Sequence, residues 1–142
     1  MTLIADTGAL YAAFDRADAH HVQVSRYLRT VDRKPIVSPL VLAELDHLVL
    51  VRFGESARAE VMAELADTMM VATFTHAMFV ASAEVATRHG GLPLGLTDAT
   101  LMVLAREYGS RDLLTTDQRH FRAVRPLLGG KDASYRLLPF DA

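Results

Sequence analysis

The 142-residue sequence contains no cysteine and no tryptophan, only two lysines, and no apolar run long enough to cross a bilayer. Without cysteine there is no disulfide framework and no thiolate metal site. A membrane-spanning helix needs about 18 consecutive apolar residues. The longest apolar stretches here, around residues 40–51 and 92–104, are broken by Glu44, Asp46 and Asp98. The N-terminus lacks the charged and apolar segments of a secretory signal, so a cytoplasmic globular domain with no membrane association is expected. Basic excess is absent too. A net charge of −2 excludes a protein that binds nucleic acid by bulk electrostatics. The cations are 13 Arg and 2 Lys, a bias for which a GC-rich coding sequence is the simpler explanation and phosphate recognition the other.

What is present is apolar: 51% of residues are hydrophobic, enough for a substantial core and suggestive of a surface covered by a partner. No repeat, low-complexity tract or linker divides the chain, and residues 1–142 read as one domain. Short β-type runs alternate with helical segments, the pattern of a mainly parallel sheet covered on both faces, an α/β/α sandwich. Strands are expected at residues 2–5, 35–37, 70–74 and 113–116, with a further edge strand at 135–138. Helices are expected over 7–14, from an Asp18 cap to about Val31, and from the Ser38-Pro39 start to Phe53. Others follow over 55–67, with Ala57, Val61, Leu65 and Met69 on one stripe, then over 76–89, stopped by Gly90-Gly91. A helix over 97–108, with Thr97 as its cap, and a short one after Asp117 complete the set.

Four acidic residues stand where the sequence is otherwise apolar: Asp6 after Leu3-Ile4-Ala5, Glu44 inside Leu40-Val41-Leu42-Ala43, Asp98 at a helix start, and Asp117 after Leu113-Leu114. A carboxylate removed from water is costly unless a partner or a cation compensates it. In open parallel α/β sheets, ligands bind beyond the carboxyl ends of the strands, where Asp6 and Asp117 both fall. Glu44, with Leu40, Val41, His47 and Leu48 as its helical neighbours, is expected to project from a largely buried face. Oxygen-only ligation suits Mg²⁺ or Mn²⁺, which can polarise a phosphoryl oxygen and activate water for in-line attack. Each acid also has a structural reading. Asp6 and Asp98 could serve helix termini and Asp117 an Asx-turn, whereas Glu44 has no such role unless it pairs with an arginine. The joint pattern carries the metal-site reading.

The segments Asp6-Thr7-Gly8-Ala9-Leu10, Ser38 to Leu45, Leu96-Thr97-Asp98-Ala99 and Leu114 to Phe121 resemble, in order and spacing, the motifs of the PIN-domain family. At this length the chain is most similar to the VapC toxins of type II toxin–antitoxin pairs. The resemblance implies an α/β/α fold and a metal-dependent endoribonuclease whose acidic quartet is Asp6, Glu44, Asp98 and Asp117, leaving 5′-phosphate and 3′-hydroxyl ends. It further implies RNA as substrate, a homodimer, and neutralisation by a VapB-type antitoxin through which DNA is contacted only indirectly. Gly8 departs from the family's usual serine or other small residue, with little effect expected. Within such a site, Asp6 and Asp98 are the preferred direct ligands. Asp117 and Glu44 would hold bound waters or a second ion, with Glu44 orienting the attacking water. Thr115 lies on the same strand face as Asp117 and can bond a carboxylate or phosphate.

Weaker features divide between roles. Arg119, Arg122 and Arg125 recur at every third position, with His120 and Lys131 nearby, and can either grip RNA phosphates or form a solvated face. The six histidines show no zinc-ligand spacing; core or surface roles are expected, with His47 in hydrogen-bonding reach of Glu44. Asp46 points away from Glu44, and Met62, Met69, Met70 and Met78 fit core packing better than a partner groove. Two other functions compete: a PIN-fold module acting chiefly through its antitoxin on promoter DNA, and a stand-alone RNA-processing nuclease. Phosphoryl transfer of the haloacid-dehalogenase type also starts from a strand-end Asp, but it wants a second Asp where Gly8 stands.

Overall fold

A computed structural model describes residues 2–89, 91–92 and 94–142. Among these residues, five parallel strands and seven helices alternate along the chain. In sequence order they are β1 (Leu3–Ala5), α1 (Thr7–Phe14), α2 (His21–Thr30), β2 (Ile36–Val37), α3 (Pro39–Phe53), α4 (Glu55–Thr68), β3 (Met70–Val71), α5 (His76–Arg88), α6 (Leu96–Glu107), β4 (Asp112–Leu114), α7 (Gln118–Ala123) and β5 (Arg136–Leu138). The strand order is β3-β2-β1-β4-β5, with Ala5 opposite Val37 on one side and Leu114 on the other. Because parallel strands need crossover helices, both faces are covered and the three-layer α/β/α sandwich expected from the alternation is formed.

Burial explains which segments became central. Every residue of β1 is fully buried, as are Leu113 and Leu114 of β4, so these strands read as continuous apolar runs rather than alternating ones. Helix α6 packs against β1, β4 and α5 and is buried without interruption from Ala99 to Ala105. A helix with no polar face belongs inside a domain. On α4, Val61 and Leu65 are buried, with Ala57 and Met69 packed partly against the core as the helical stripe requires. Met62 and Met78 also pack on the core, whereas Met70 is exposed.

Several boundaries shift. The third strand is only Met70–Val71, and both residues are exposed because β3 is the sheet's edge. Asp18 shapes the turn before α2 by accepting the His20 N–H at 2.8 Å, and the helix starts later, at His21, with no side-chain cap. Helix α6 starts at Leu96, so Thr97 is inside its first turn rather than its cap. The carboxylate of Asp98 reaches back to the Gly95 N–H at 3.2 Å, which lets the helix begin earlier. Ser38 does cap α3, accepting the Leu40 N–H at 3.1 Å with Pro39 at the first helical position. The Gly90 half of the expected stop after α5 lies outside the described residues.

Candidate active site

The carboxyl ends of β1 and β4, adjacent strands at the middle of the sheet, carry the two strand-end acids. The chain leaves β1 at Asp6, which is the N-cap of α1, its Oδ1 accepting the Thr7 N–H at 2.7 Å. Thr115, immediately beyond β4, donates its hydroxyl to Asp6 Oδ2 at 2.8 Å and accepts the Asp117 N–H at 3.0 Å. Asp6 is only 6% exposed. Burial pushes its carboxyl up to about 7, with the charges of Asp98 and Asp117 adding to the rise and the bonds from Thr115 and Thr7 opposing it.

Asp98 approaches from the start of α6 and is half-buried. Burial raises its carboxyl above the ordinary range; the Gly95 N–H and His120 oppose this, and Asp117 and Glu44 add to it. Thr115 links Asp6 to Asp117, since it donates to the Asp6 carboxylate and accepts the Asp117 N–H. Asp117 caps α7, with Oδ1 accepting the His120 N–H at 3.0 Å and Oδ2 lying 2.6 Å from His120 Nδ1. Glu44 ties two helix starts together: Thr7 donates its hydroxyl to Oε1 at 2.8 Å, and Thr97 donates to Oε2 at 2.7 Å.

Glu44 corrects one expectation. It is exposed, not projecting from a buried face. Apolar neighbours in sequence do not guarantee burial on α3, where Val51 and Phe53 are more than half exposed as well. Of the four acids only Asp6 is fully buried, so the desolvation argument applies in full to that residue alone. Nor is His47 bonded to Glu44 among the described residues; the two threonines fill that role. Asp46 points elsewhere, 3.5 Å from Arg58 Nε.

Sequence reasoning passed over Thr7 and Thr97 as supports for Glu44, and gave His120, though within the fourth motif, only a core, surface or phosphate-gripping role. Its signal was there: His120 is three residues after a helix-capping acid, which puts it back over that acid. A ring nitrogen of His120 and an oxygen from each of Asp98 and Asp117 lie within 4.8 Å of one another, a group able to hold a metal ion. Of the arginines, Arg119 and Arg125 are exposed, whereas Arg122 bonds Asp141 at 2.8 Å and Gln118 at 2.9 Å. Gly8 leaves room for Thr116, whose Oγ1 would lie 2.9 Å from a Cβ at that position. A serine there would require Thr116 to turn aside.

Residues 3–126 match the family model of the PIN domain. The chain belongs to the PIN domain family. It is 40% identical over 130 residues to the ribonuclease VapC26 of Mycobacterium tuberculosis, covering 91% of this chain and 96% of that protein. The PIN fold is shared with VapC20 of the same organism, a sarcin–ricin loop cleaving toxin, at a TM-score of 0.77 and 24% identity over 83% of this chain and 92% of that one. It is shared as well with VapBC2 of Rickettsia felis, solved bound to a fragment of promoter DNA, at a TM-score of 0.69 and 18% identity over 90% of this chain and 96% of that one.

The PIN-domain residues fit a hard divalent cation. Two carboxylates and an imidazole converge, with no thiol in the chain. The carboxyl of Asp6 is raised first by burial and then by the charges of Asp98 and Asp117, a situation a cation relieves.

Proposed function

We propose that this chain is the ribonuclease toxin of a VapBC-type toxin–antitoxin pair, hydrolysing RNA phosphodiester bonds with Mg²⁺ or Mn²⁺ held by its acidic quartet. The observation that carries this reading is the gathering of Asp98, Asp117 and His120 within 4.8 Å, with Asp6 linked to Asp117 through Thr115 and Glu44 bonded to Thr7 and Thr97. The 40% identity to a ribonuclease across nearly the whole chain supports it. A set of helix caps alone would not require Asp98 and Asp117, from separate helix starts, to gather with His120 within 4.8 Å. For the same reason we favour an active nuclease over a module that only binds.

A bound divalent cation supplies Lewis acidity toward the phosphoryl oxygen and acidifies a nearby water. Asp6 and Asp98 would hold that ion directly. Thr115 fixes the rotamer of Asp6 from one side and the Thr7 N–H from the other, so the ligand needs no reorganisation on binding. Glu44, clamped by Thr7 and Thr97, presents its carboxylate toward solvent where an attacking water can be oriented and deprotonated. Arg119, exposed on α7 two residues after Asp117, would offer a fork to a flanking phosphate; Arg122 would contribute less, since Asp141 and Gln118 already engage it.

The antitoxin reading has support in the surface. A cleft of about 640 Å³ runs between α1, α2 and α4, with Leu10, Phe14, Leu28, Leu65 and Met69 among its walls and Arg29, Lys34, Glu64 and Asp67 at its rim. It suits an amphipathic helix of a VapB-type partner. Exposed Phe79 and Val80 on α5 offer a separate apolar patch for a second copy in a homodimer. The test is cleavage of total cellular RNA by antitoxin-free protein with Mn²⁺, Mg²⁺ or EDTA, beside Asp98→Asn from the same preparation. Discrete metal-dependent cuts absent from the variant are expected; equal cleavage by both proteins would refute the assignment.

A further inference from the structure

His120 lies within the fourth motif but is not one of its acids. Its Nδ1 lies 2.6 Å from Asp117 Oδ2, and its backbone N–H donates to Asp117 Oδ1. Both oxygens of Asp117 are therefore turned back onto the first turn of α7. The other ring nitrogen, Nε2, is closed off from solvent and has no hydrogen-bond partner among the described residues. A buried polar atom left unpaired costs about 1–3 kcal/mol, and such an atom beside a functional centre calls for an explanation. In a neutral imidazole that donates through Nδ1, Nε2 carries a free lone pair. A histidine that donates one ring N–H to a carboxylate and offers the other nitrogen outward has the arrangement found when imidazole ligates a metal.

Building on the proposed function, we propose that His120 ligates the divalent cation through Nε2, while Asp117 acts as the carboxylate that orients the imidazole. The ion is then held by Asp98 and His120, which come within 4.8 Å of each other, and Asp117 works through His120. One nitrogen donor changes the chemistry of the site. Mg²⁺ demands oxygen ligands and near-ideal octahedral geometry, whereas Mn²⁺ and heavier divalent ions accept imidazole more readily. The site should therefore prefer Mn²⁺ to Mg²⁺ in binding, independently of turnover.

The experiment is pulsed electron paramagnetic resonance of the Mn²⁺-loaded full chain, read for nitrogen modulation at the ion. Mn²⁺ and Mg²⁺ affinities by calorimetry would be measured alongside. The comparison variant is His120→Asn, whose amide can replace the Nδ1–H donation to Asp117 but has nothing at the Nε2 position. Wild-type protein should show nitrogen coupling that changes frequency when histidine is labelled with ¹⁵N. In His120→Asn the coupling should vanish and Mn²⁺ affinity should fall by roughly tenfold or more, with a smaller loss for Mg²⁺. Mn²⁺ bound to the wild type without nitrogen coupling would overturn ligation by His120 and leave the nuclease reading standing. So would coupling that persists in the variant or ignores the ¹⁵N label. Failure of the wild type to bind Mn²⁺ at all would overturn both. The labelled wild type decides the matter even if the variant does not fold.

Discussion

Replacing Asp6 by asparagine should make the metal-free protein more stable, although it removes a residue of the candidate active site. Asp6 is buried beneath Thr115 and Thr7, and its carboxyl is raised from 3.8 to about 7, first by desolvation and then by Asp98 and Asp117. For an acid raised in this direction the folded state holds its proton more tightly than the unfolded chain. The destabilisation is absent below 3.8, grows as pH rises through that window, and is complete above 7. At 1.36 kcal/mol per pH unit it amounts to about 4 kcal/mol at pH 8 and less than about half of that at pH 5. Asparagine is isosteric and uncharged. Its oxygen can still accept from Thr7, but the bond from the Thr115 hydroxyl is lost, costing about 1 kcal/mol. The net expectation for Asp6→Asn in EDTA at pH 8 is a gain of about 3 kcal/mol, or about 10 °C in Tm, shrinking to under about 1 kcal/mol at pH 5. Urea and thermal unfolding of both proteins at the two pH values measure it. A variant no more stable than wild type at pH 8, or a difference that ignores pH, would refute the assignment of a strained, ion-awaiting carboxylate.

The same proton competes with the cation. Apparent Mn²⁺ affinity, measured by calorimetry, should rise about tenfold per pH unit below pH 7 and level off above it, and a flat profile would mean that Asp6 does not ligate. Thr115→Val should weaken metal binding by roughly 10–100-fold, because Asp6 loses its orienting bond, while CD shows an intact fold. Glu44→Gln, at an exposed position, should leave Tm within a few degrees yet cut RNA cleavage by about 10²-fold or more; near-normal turnover would remove Glu44 from the mechanism. Away from the site, Phe121→Ala empties a fully buried position behind α7 and should cost about 3–5 kcal/mol in urea unfolding, with metal affinity falling as Asp117 and His120 lose their support.

Much of this architecture could be read along the chain because it is local. The Ser38-Pro39 start of α3, the apolar runs of β1 and β4 and the periodic face of α4 each encode their own element in consecutive residues. The strand-end position of Asp6 and the helix-start positions of Asp98 and Asp117 follow from that order, and so does the family to which the chain belongs. Edge effects were not readable in the same way: Met70 and Val71 are apolar yet exposed, because β3 lies at the edge of the sheet. Apolarity around Glu44 suggested burial, but whether a helical face is covered depends on which elements arrive against it.

The sequence by itself determined the alternation of strands and helices, the absence of thiol chemistry and the family to which the chain belongs. Local hydrogen bonding and hydrophobic periodicity are properties of neighbouring residues, which is why these could be read in advance. Only the tertiary structure decided that Asp6 alone is deeply buried, that Thr7 and Thr97 clamp Glu44 across separations of 37 and 53 residues, and that His120 turns one nitrogen to Asp117 and leaves the other unpartnered. Desolvation and long-range hydrogen bonds depend on segments distant in the chain meeting in space, and no local pattern records where they meet.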